Sequence, residues 1–154
     1  MPWRVERETG MMIDRQEHSM GYYFSTKIAG TFVDVIDRTR EALKTQGFGI
    51  ISEIDIQATL REKIGADFRR YTILGACNPT LAHEALQIED KVGTMLPCNV
   101  VVQERSDGIE VAAIDPVASM QAIENRELSE KAAVVADKLK AAIELLRLPA
   151  EAVG

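Results

Sequence analysis

Apolar residues recur along this chain with the periods of both strands and helices. The run 22–28 is aromatic and β-branched, which favours a pleated strand. Thr31 followed by Asp34 is a signature of a capped helix start, and Gly47 supplies the C-terminal stop. Between them the apolar positions have helical spacing: Phe32, Val35, Ile36, Thr39 and Leu43. The pattern predicts a first strand and an amphipathic helix.

The middle of the chain twice repeats the order of a strand followed by a helix. A second strand is predicted over 48–56, followed by a short helix over 57–64 that Asp55 caps and Gly65 ends. The run 71–77 predicts a third strand. Asn78 then suits the N-cap of another helix, with Pro79 in its first turn, where a missing N–H costs nothing.

The last third predicts a hairpin and a long helix. The run 98–102 is a fourth strand, joined through Ser106-Asp107-Gly108 to a fifth strand at 109–114. Apolar residues then repeat at steps of four and three between Leu128 and Leu146. Two interpretations of this helix stay open: it packs on the domain's own sheet, or it forms a coiled coil with another chain.

These elements predict an α+β domain. The hairpin favours an antiparallel sheet of about five strands, with two main helices on one face and short helices inserted between strands. The domain is expected to span residues 20–148. Residues 1–19 are polar and lack periodicity, which predicts a flexible N-terminal arm containing His18, and 149–154 form a C-terminal tail.

Composition narrows the class of protein. A net charge of −6 argues against a nucleic-acid binder, which needs a concentrated basic face, and the cluster Arg61, Lys63, Arg69 and Arg70 is interpreted as a solvated surface. No apolar run is long enough to span a bilayer. Two cysteines do not make a disulfide scaffold, and we expect no export, because residues 1–8 contain no apolar stretch of the kind that directs it. We expect a cytoplasmic protein without a membrane partner.

Candidate chemistry is concentrated at Cys77, Asn78, His83 and Cys98. Cys77 precedes a predicted helix N-terminus, whose dipole favours a thiolate. If the third and fourth strands are neighbours, Cys98 approaches Cys77, and His83 could complete a Cys-Cys-His set for a metal. The fourth donor is missing, and burial of both cysteines as small apolar residues is the competing interpretation.

Two further motifs are incomplete in this sequence. His83-Glu84 begins a zinc-protease motif, but Gln87 stands where the second histidine would be required. Gly47-Phe-Gly49 lacks the third glycine of a dinucleotide loop and precedes a strand. Glu53, Asp55 and Asp115 end strands and could line a cleft, although capping explains Asp55 equally well.

Several segments carry a resemblance to a known family: Gly47-Phe-Gly49, Ile73-Leu-Gly-Ala-Cys-Asn-Pro79, Leu96-Pro-Cys-Asn-Val100 and Ala113-Ile-Asp-Pro116. Together they resemble the bacterial and archaeal family of domain of unknown function 302, over about residues 20 to 148. The resemblance implies a compact fold similar to the β-α-β4-α arrangement of the TATA-binding protein. It also implies self-association. It implies no activity, because the family has none established.

Three functional hypotheses follow. The first is a homodimeric protein that binds a small molecule in a cleft lined by Cys77, Asn78, His83 and Cys98. The second is a cysteine-dependent redox, sulfur-handling, metal-binding or haem-binding protein that uses Cys77, Cys98 and His83. The third is a structural interaction module. The sequence identifies no cofactor and no catalytic residue, and it leaves open whether the protein is an enzyme.

Overall fold

The computed structural model describes residues 21–148. The predicted N-terminal arm 1–19, with His18, and the predicted tail 149–154 lie outside these residues. The elements in chain order are β1 (Tyr23–Ile28), α1 (Phe32–Thr45), β2 (Gly49–Asp55), α2 (Ile56–Ile64), β3 (Tyr71–Cys77), α3 (Pro79–Ile88), a 3-10 helix (Asp90–Met95), β4 (Cys98–Arg105), β5 (Gly108–Ile114), α4 (Pro116–Ser119) and α5 (Arg126–Leu145).

The five strands form one antiparallel sheet in the order β1-β5-β4-β3-β2. The predicted hairpin joins β4 to β5, with Arg105 opposite Gly108 and a two-residue turn between them. Gly108 has a φ of 150° in the turn region, a conformation that favours glycine. The predicted α+β class with a five-stranded antiparallel sheet is therefore confirmed.

One face of the sheet carries the core. Leu74 on β3, Val100 on β4 and Ala113 on β5 lie side by side, and none of them is accessible to solvent. Helices α1 and α5 pack on this face, and Leu43 and Leu139 join the same core. The long C-terminal helix thus uses its apolar positions against its own sheet, as the first interpretation of its periodicity predicted.

The predicted helix starts are confirmed. The Thr31, Asp55 and Asn78 side chains each accept a hydrogen bond from the backbone N–H three residues later, at 3.1, 2.9 and 3.2 Å. These bonds satisfy N–H groups that have no partner within the helix. Gly65 ends α2 in the left-handed conformation, with a φ of 68°.

Two short helical segments were not predicted. The 3-10 helix fills the connection after α3, and α4 begins where Asp115-Pro116 was interpreted only as a strand break. Asp115 caps α4 by accepting a hydrogen bond from the Val117 N–H at 3.0 Å, and Pro116 occupies the first turn. This is the same cap-and-proline pattern as Asn78-Pro79, so the signal was present in the sequence.

No helix in the described range 21–148 is long and apolar enough to cross a membrane.

Candidate functional site

A cavity of about 210 Å³ lies where the ends of β3 and β4 meet helices α3, α4 and α5. The Ala76–Cys98 pair of neighbouring strands forms part of its wall, together with Phe48. Nearly all of the surrounding atoms are apolar. The cavity therefore has the character of a small-molecule site, which is typically concave and mainly apolar with a few polar groups.

Helix α3 supplies one side of the cavity. Asn78 caps the helix and turns the chain away from β3, so that Leu81, Ala82 and Ala85 face inward. Leu81 and Ala85 stand one helical turn apart, and Ala82 lies between them on the same face. The cap thus connects the strand end directly to the cavity wall.

Helices α4 and α5 supply the opposite side. Pro116 and Met120 contribute from α4 and its end, and Leu128, Ala132 and Val135 contribute from α5. A second, smaller core cluster fixes this arrangement, because Leu128 packs with Ala85 and Val92. The cavity thus lies between two packed regions of the protein.

Both cysteines line the cavity as free thiols. Cys98 is buried, with 6% of its surface exposed, whereas Cys77 at the strand end is half-buried. Burial and, to a smaller extent, the proximity of Cys77 raise the pKa of the Cys98 thiol from 9.0 to about 11. Cys98 therefore stays protonated at neutral pH.

His83 lies away from this wall. It is exposed on α3, and its imidazole Nε2 stands 3.4 Å from the Gln87 side-chain amide. Within residues 21–148, no group of three or more histidine, cysteine or acidic residues is arranged to hold a metal ion. The described part of the chain thus places Cys77, Asn78 and Cys98 together and His83 apart from them.

The three strand-end carboxylates have structural partners. Glu53 forms an ion pair with Arg40 of α1, Asp55 caps α2, and Asp115 caps α4. None of the three belongs to the cavity wall. Their position at the ends of strands is explained by capping and by pairing across elements.

Lys131 is a charged wall residue that the sequence did not identify as part of a site. It lies on α5 between Leu128 and Val135, both of which face the cavity. Its ammonium group donates to a carboxylate oxygen of Glu84 on α3 at 2.8 Å. Positions 128, 131 and 135 lie on one helix face, so the sequence indicates that Lys131 shares a face with two apolar residues. Only the packing of α3 against α5 shows that this face lines a cavity.

The other face of the sheet carries a broader groove of about 310 Å³, lined in part by Tyr23, Gln103 and Glu110. Gln103 donates to Glu110 at 3.0 Å and accepts from Arg69 at 2.8 Å. Burial raises the pKa of Tyr23, and the negative charge of Glu110 adds to this effect. Gln103, Glu110 and Arg69 satisfy one another, so the cavity beside the cysteines is the better candidate site.

Comparison with known proteins gives a family and a fold. The family model described as Domain of unknown function DUF302 matches residues 24–146. The crystal structure of an uncharacterized conserved protein DUF302 from Bacillus stearothermophilus is similar over 82% of this chain and 98% of its own, with a TM-score of 0.76 and 28% sequence identity. Among curated proteins, no match to the chain was found.

Proposed function

The chain belongs to the family of domain of unknown function DUF302, and we propose that it binds a small, mainly apolar ligand in the cavity between the sheet and helices α3, α4 and α5. The observation that carries this proposal is the cavity itself. The cavity has a volume of about 210 Å³ and lies beside a well-packed core. Spaces larger than a water molecule are few in such cores. The cavity opens to solvent, so an apolar ligand that enters it removes the apolar wall and its own apolar surface from water, which favours binding.

The size of the cavity limits the ligand. An apolar cavity of about 150 Å³ in another protein accommodates benzene, so a cavity of about 210 Å³ suits roughly eight to ten non-hydrogen atoms. Binding proteins for drug-sized molecules use cavities of about 300 Å³ or more. The proposed ligand is therefore a single ring or a short branched chain with one substituent.

Filling the cavity tests the proposal. Ala82 lines the cavity on α3, and leucine at this position would occupy space that the ligand needs. Ala133 is exposed on α5 and lies outside the wall, so Ala133→Leu is a matched control. We expect calorimetric titration with benzyl alcohol and benzamide to show binding to the wild type and to Ala133→Leu.

The same titration of Ala82→Leu should give at least tenfold weaker binding, with the fold retained by circular dichroism. Equal binding by Ala82→Leu and the wild type would show that the two compounds bind outside the cavity and would contradict the proposal. Native mass spectrometry of the freshly purified protein, before and after unfolding, would identify a co-purified ligand.

A second candidate function is thiol chemistry in the same cavity. Its support is the presence of two free thiols in one wall, one half-buried and one buried. In this proposal the Cys77 thiolate adds to the β-carbon of an α,β-unsaturated carbonyl compound in the cavity, the π-electron pair passes to the carbonyl oxygen, and solvent supplies a proton to the α-carbon. A small α,β-unsaturated carbonyl compound should therefore modify Cys77. Ala82→Leu should slow this modification more in the folded protein than in an unfolded control.

The free thiols also support a cytoplasmic location.

We also propose self-association through the β2 edge of the sheet. Within residues 21–148, the exposed isoleucines all lie on β2 and α2: Ile51, Ile54 and Ile64 expose 64%, 45% and 73% of their surface. β2 is an edge strand of the sheet, and a second copy of the chain that pairs with this edge would cover Ile54 in a two-fold contact. Ile54→Lys should shift the sedimentation coefficient from dimer to monomer.

Val134→Lys is the control for this experiment, because Val134 is exposed to the same extent, at 44%, on α5. A wild-type protein that sediments as a monomer at micromolar concentration would contradict self-association.

A further inference from the structure

The hydrogen-bonding groups of the cavity wall are mainly donors. Seventeen residues line the cavity, and among their side chains only Asn78 and Lys131 carry strong polar groups. None of the seventeen is Asp or Glu, although the protein as a whole has a net charge of −6. The wall of the cavity thus carries a positive charge in an otherwise acidic protein.

The Asn78 side-chain oxygen already accepts one hydrogen bond. The Asn78 Oδ1 atom accepts the Leu81 N–H at 3.2 Å as the cap of α3, which leaves the Nδ2 amino group with two N–H donors. Nδ2 lies beside Gly47, where a methyl group would approach it to 2.9 Å. Among the described residues, Nδ2 makes no hydrogen bond. Asn78 can therefore serve a ligand as a donor.

The Lys131 ammonium group also has N–H donors that Glu84 does not use. Its ammonium group has three N–H bonds, and the structure uses one of them for Glu84. The Lys131 side chain is one-third exposed, so its aliphatic stem lies along the wall and its charge lies at the rim of the cavity. Glu84 does not line the cavity, and it leaves two ammonium donors for another acceptor.

These observations define the polar end of a ligand. We propose that the cavity selects small molecules with an apolar body and a carboxylate, which Lys131 binds at the rim. This inference rests on the proposed function and names its ligand class. A carboxylate carries one negative charge, which the single Lys131 ammonium group can match, whereas a phosphate monoester carries about −1.5 to −2 at pH 7 and exceeds the one positive charge of the wall. Glu84 competes with the ligand for the same ammonium group.

Benzoate and benzamide provide the test, because they share shape and size and differ in charge. We expect the wild-type protein at pH 7 and low salt to bind benzoate about tenfold more tightly than benzamide, since a charge-assisted hydrogen bond is about twice as strong as a neutral one. Lys131→Met should remove this preference, because benzoate binding should weaken about tenfold more than benzamide binding. Glu84→Gln should strengthen benzoate binding, and added salt should weaken it.

The outcomes separate the two proposals. If benzamide binds and Ala82→Leu blocks it, but benzoate binds no better, the cavity is a ligand site and the carboxylate inference is overturned. A benzoate preference that persists in Lys131→Met also overturns it. If neither probe binds the wild type, the proposed function itself fails. Lys138→Met, on the same helix but outside the cavity wall, is the control for loss of a positive charge.

Discussion

The ammonium group of Lys131 on α5 lies 2.8 Å from a carboxylate oxygen of Glu84 on α3. This ion pair joins the two helices that form opposite sides of the cavity. The hydrogen bond to Glu84 is the main cause of a raised Lys131 pKa, and the negative charge of Glu84 adds to it. The pair therefore links the electrostatics of the cavity rim to the packing of α3 on α5.

Removing the Glu84 charge should lower the Lys131 pKa toward its ordinary value of 10.5. Glu84→Gln tests this by NMR titration of the Lys131 side chain. Glu127→Gln is the control, because Glu127 raises the Lys131 pKa only through its charge and should have a smaller effect. The stabilising contribution of the pair is present in full below pH 10.5 and is lost as pH rises through the folded-state pKa. An unchanged Lys131 pKa in Glu84→Gln would contradict this account.

Cys98 should make the protein less stable in alkaline solution. Its thiol ionises near pH 9.0 in the unfolded chain but near pH 11 in the folded protein, mainly because of burial. The unfolded state therefore binds fewer protons between these pH values, and the free energy of unfolding falls there by about 2 to 3 kcal/mol. Urea denaturation between pH 8 and pH 11 measures the decrease.

Cys98→Ala should reduce this pH dependence, and Cys77→Ser should retain most of it, because Cys77 is the smaller cause of the shift. Identical pH profiles for Cys98→Ala and the wild type would show that another group is responsible.

Thiol labelling should distinguish the two cysteines. Cys77 is half-buried at the strand end, whereas Cys98 is buried and holds its proton. We expect iodoacetamide at pH 8 to modify one thiol in the folded protein and two after unfolding, because alkylation requires an accessible thiolate. Peptide mass spectrometry should locate the fast site at Cys77. Preferential labelling of Cys98 in the folded protein would contradict the arrangement of the cavity.

Gly75 should not tolerate a side chain. A methyl group at this position on β3 would lie 2.7 Å from Cγ of Pro97 and would also collide with the Ser52 hydroxyl. The hydroxyl can rotate away, but the proline ring cannot, so we expect Gly75→Ala to cost about 1 to 3 kcal/mol of unfolding free energy. Gly49→Ala on neighbouring β2 is the control, since nothing lies within 4 Å of its methyl group. Urea denaturation of both variants measures the difference, and equal stabilities would show that the sheet adjusts.

The sequence by itself determined the class of fold and all elements except two short helical segments. Helix starts at Thr31, Asp55 and Asn78 depend on bonds between residues three positions apart, and the Asp107-Gly108 turn depends on adjacent residues. Such local interactions are encoded in short segments, so periodicity and capping residues were sufficient to predict them. The family motifs likewise lie in the sequence itself.

Only the tertiary structure decided which residues share the cavity. Cys77 and Cys98 meet because β3 and β4 are neighbours in the sheet, and Lys131 joins them because α5 docks against α3. His83 faces away because Leu81, Ala82 and Ala85 take the inward face of the helix. These outcomes depend on contacts between distant segments, where burial of one helix face excludes the other, and no local pattern contains that choice.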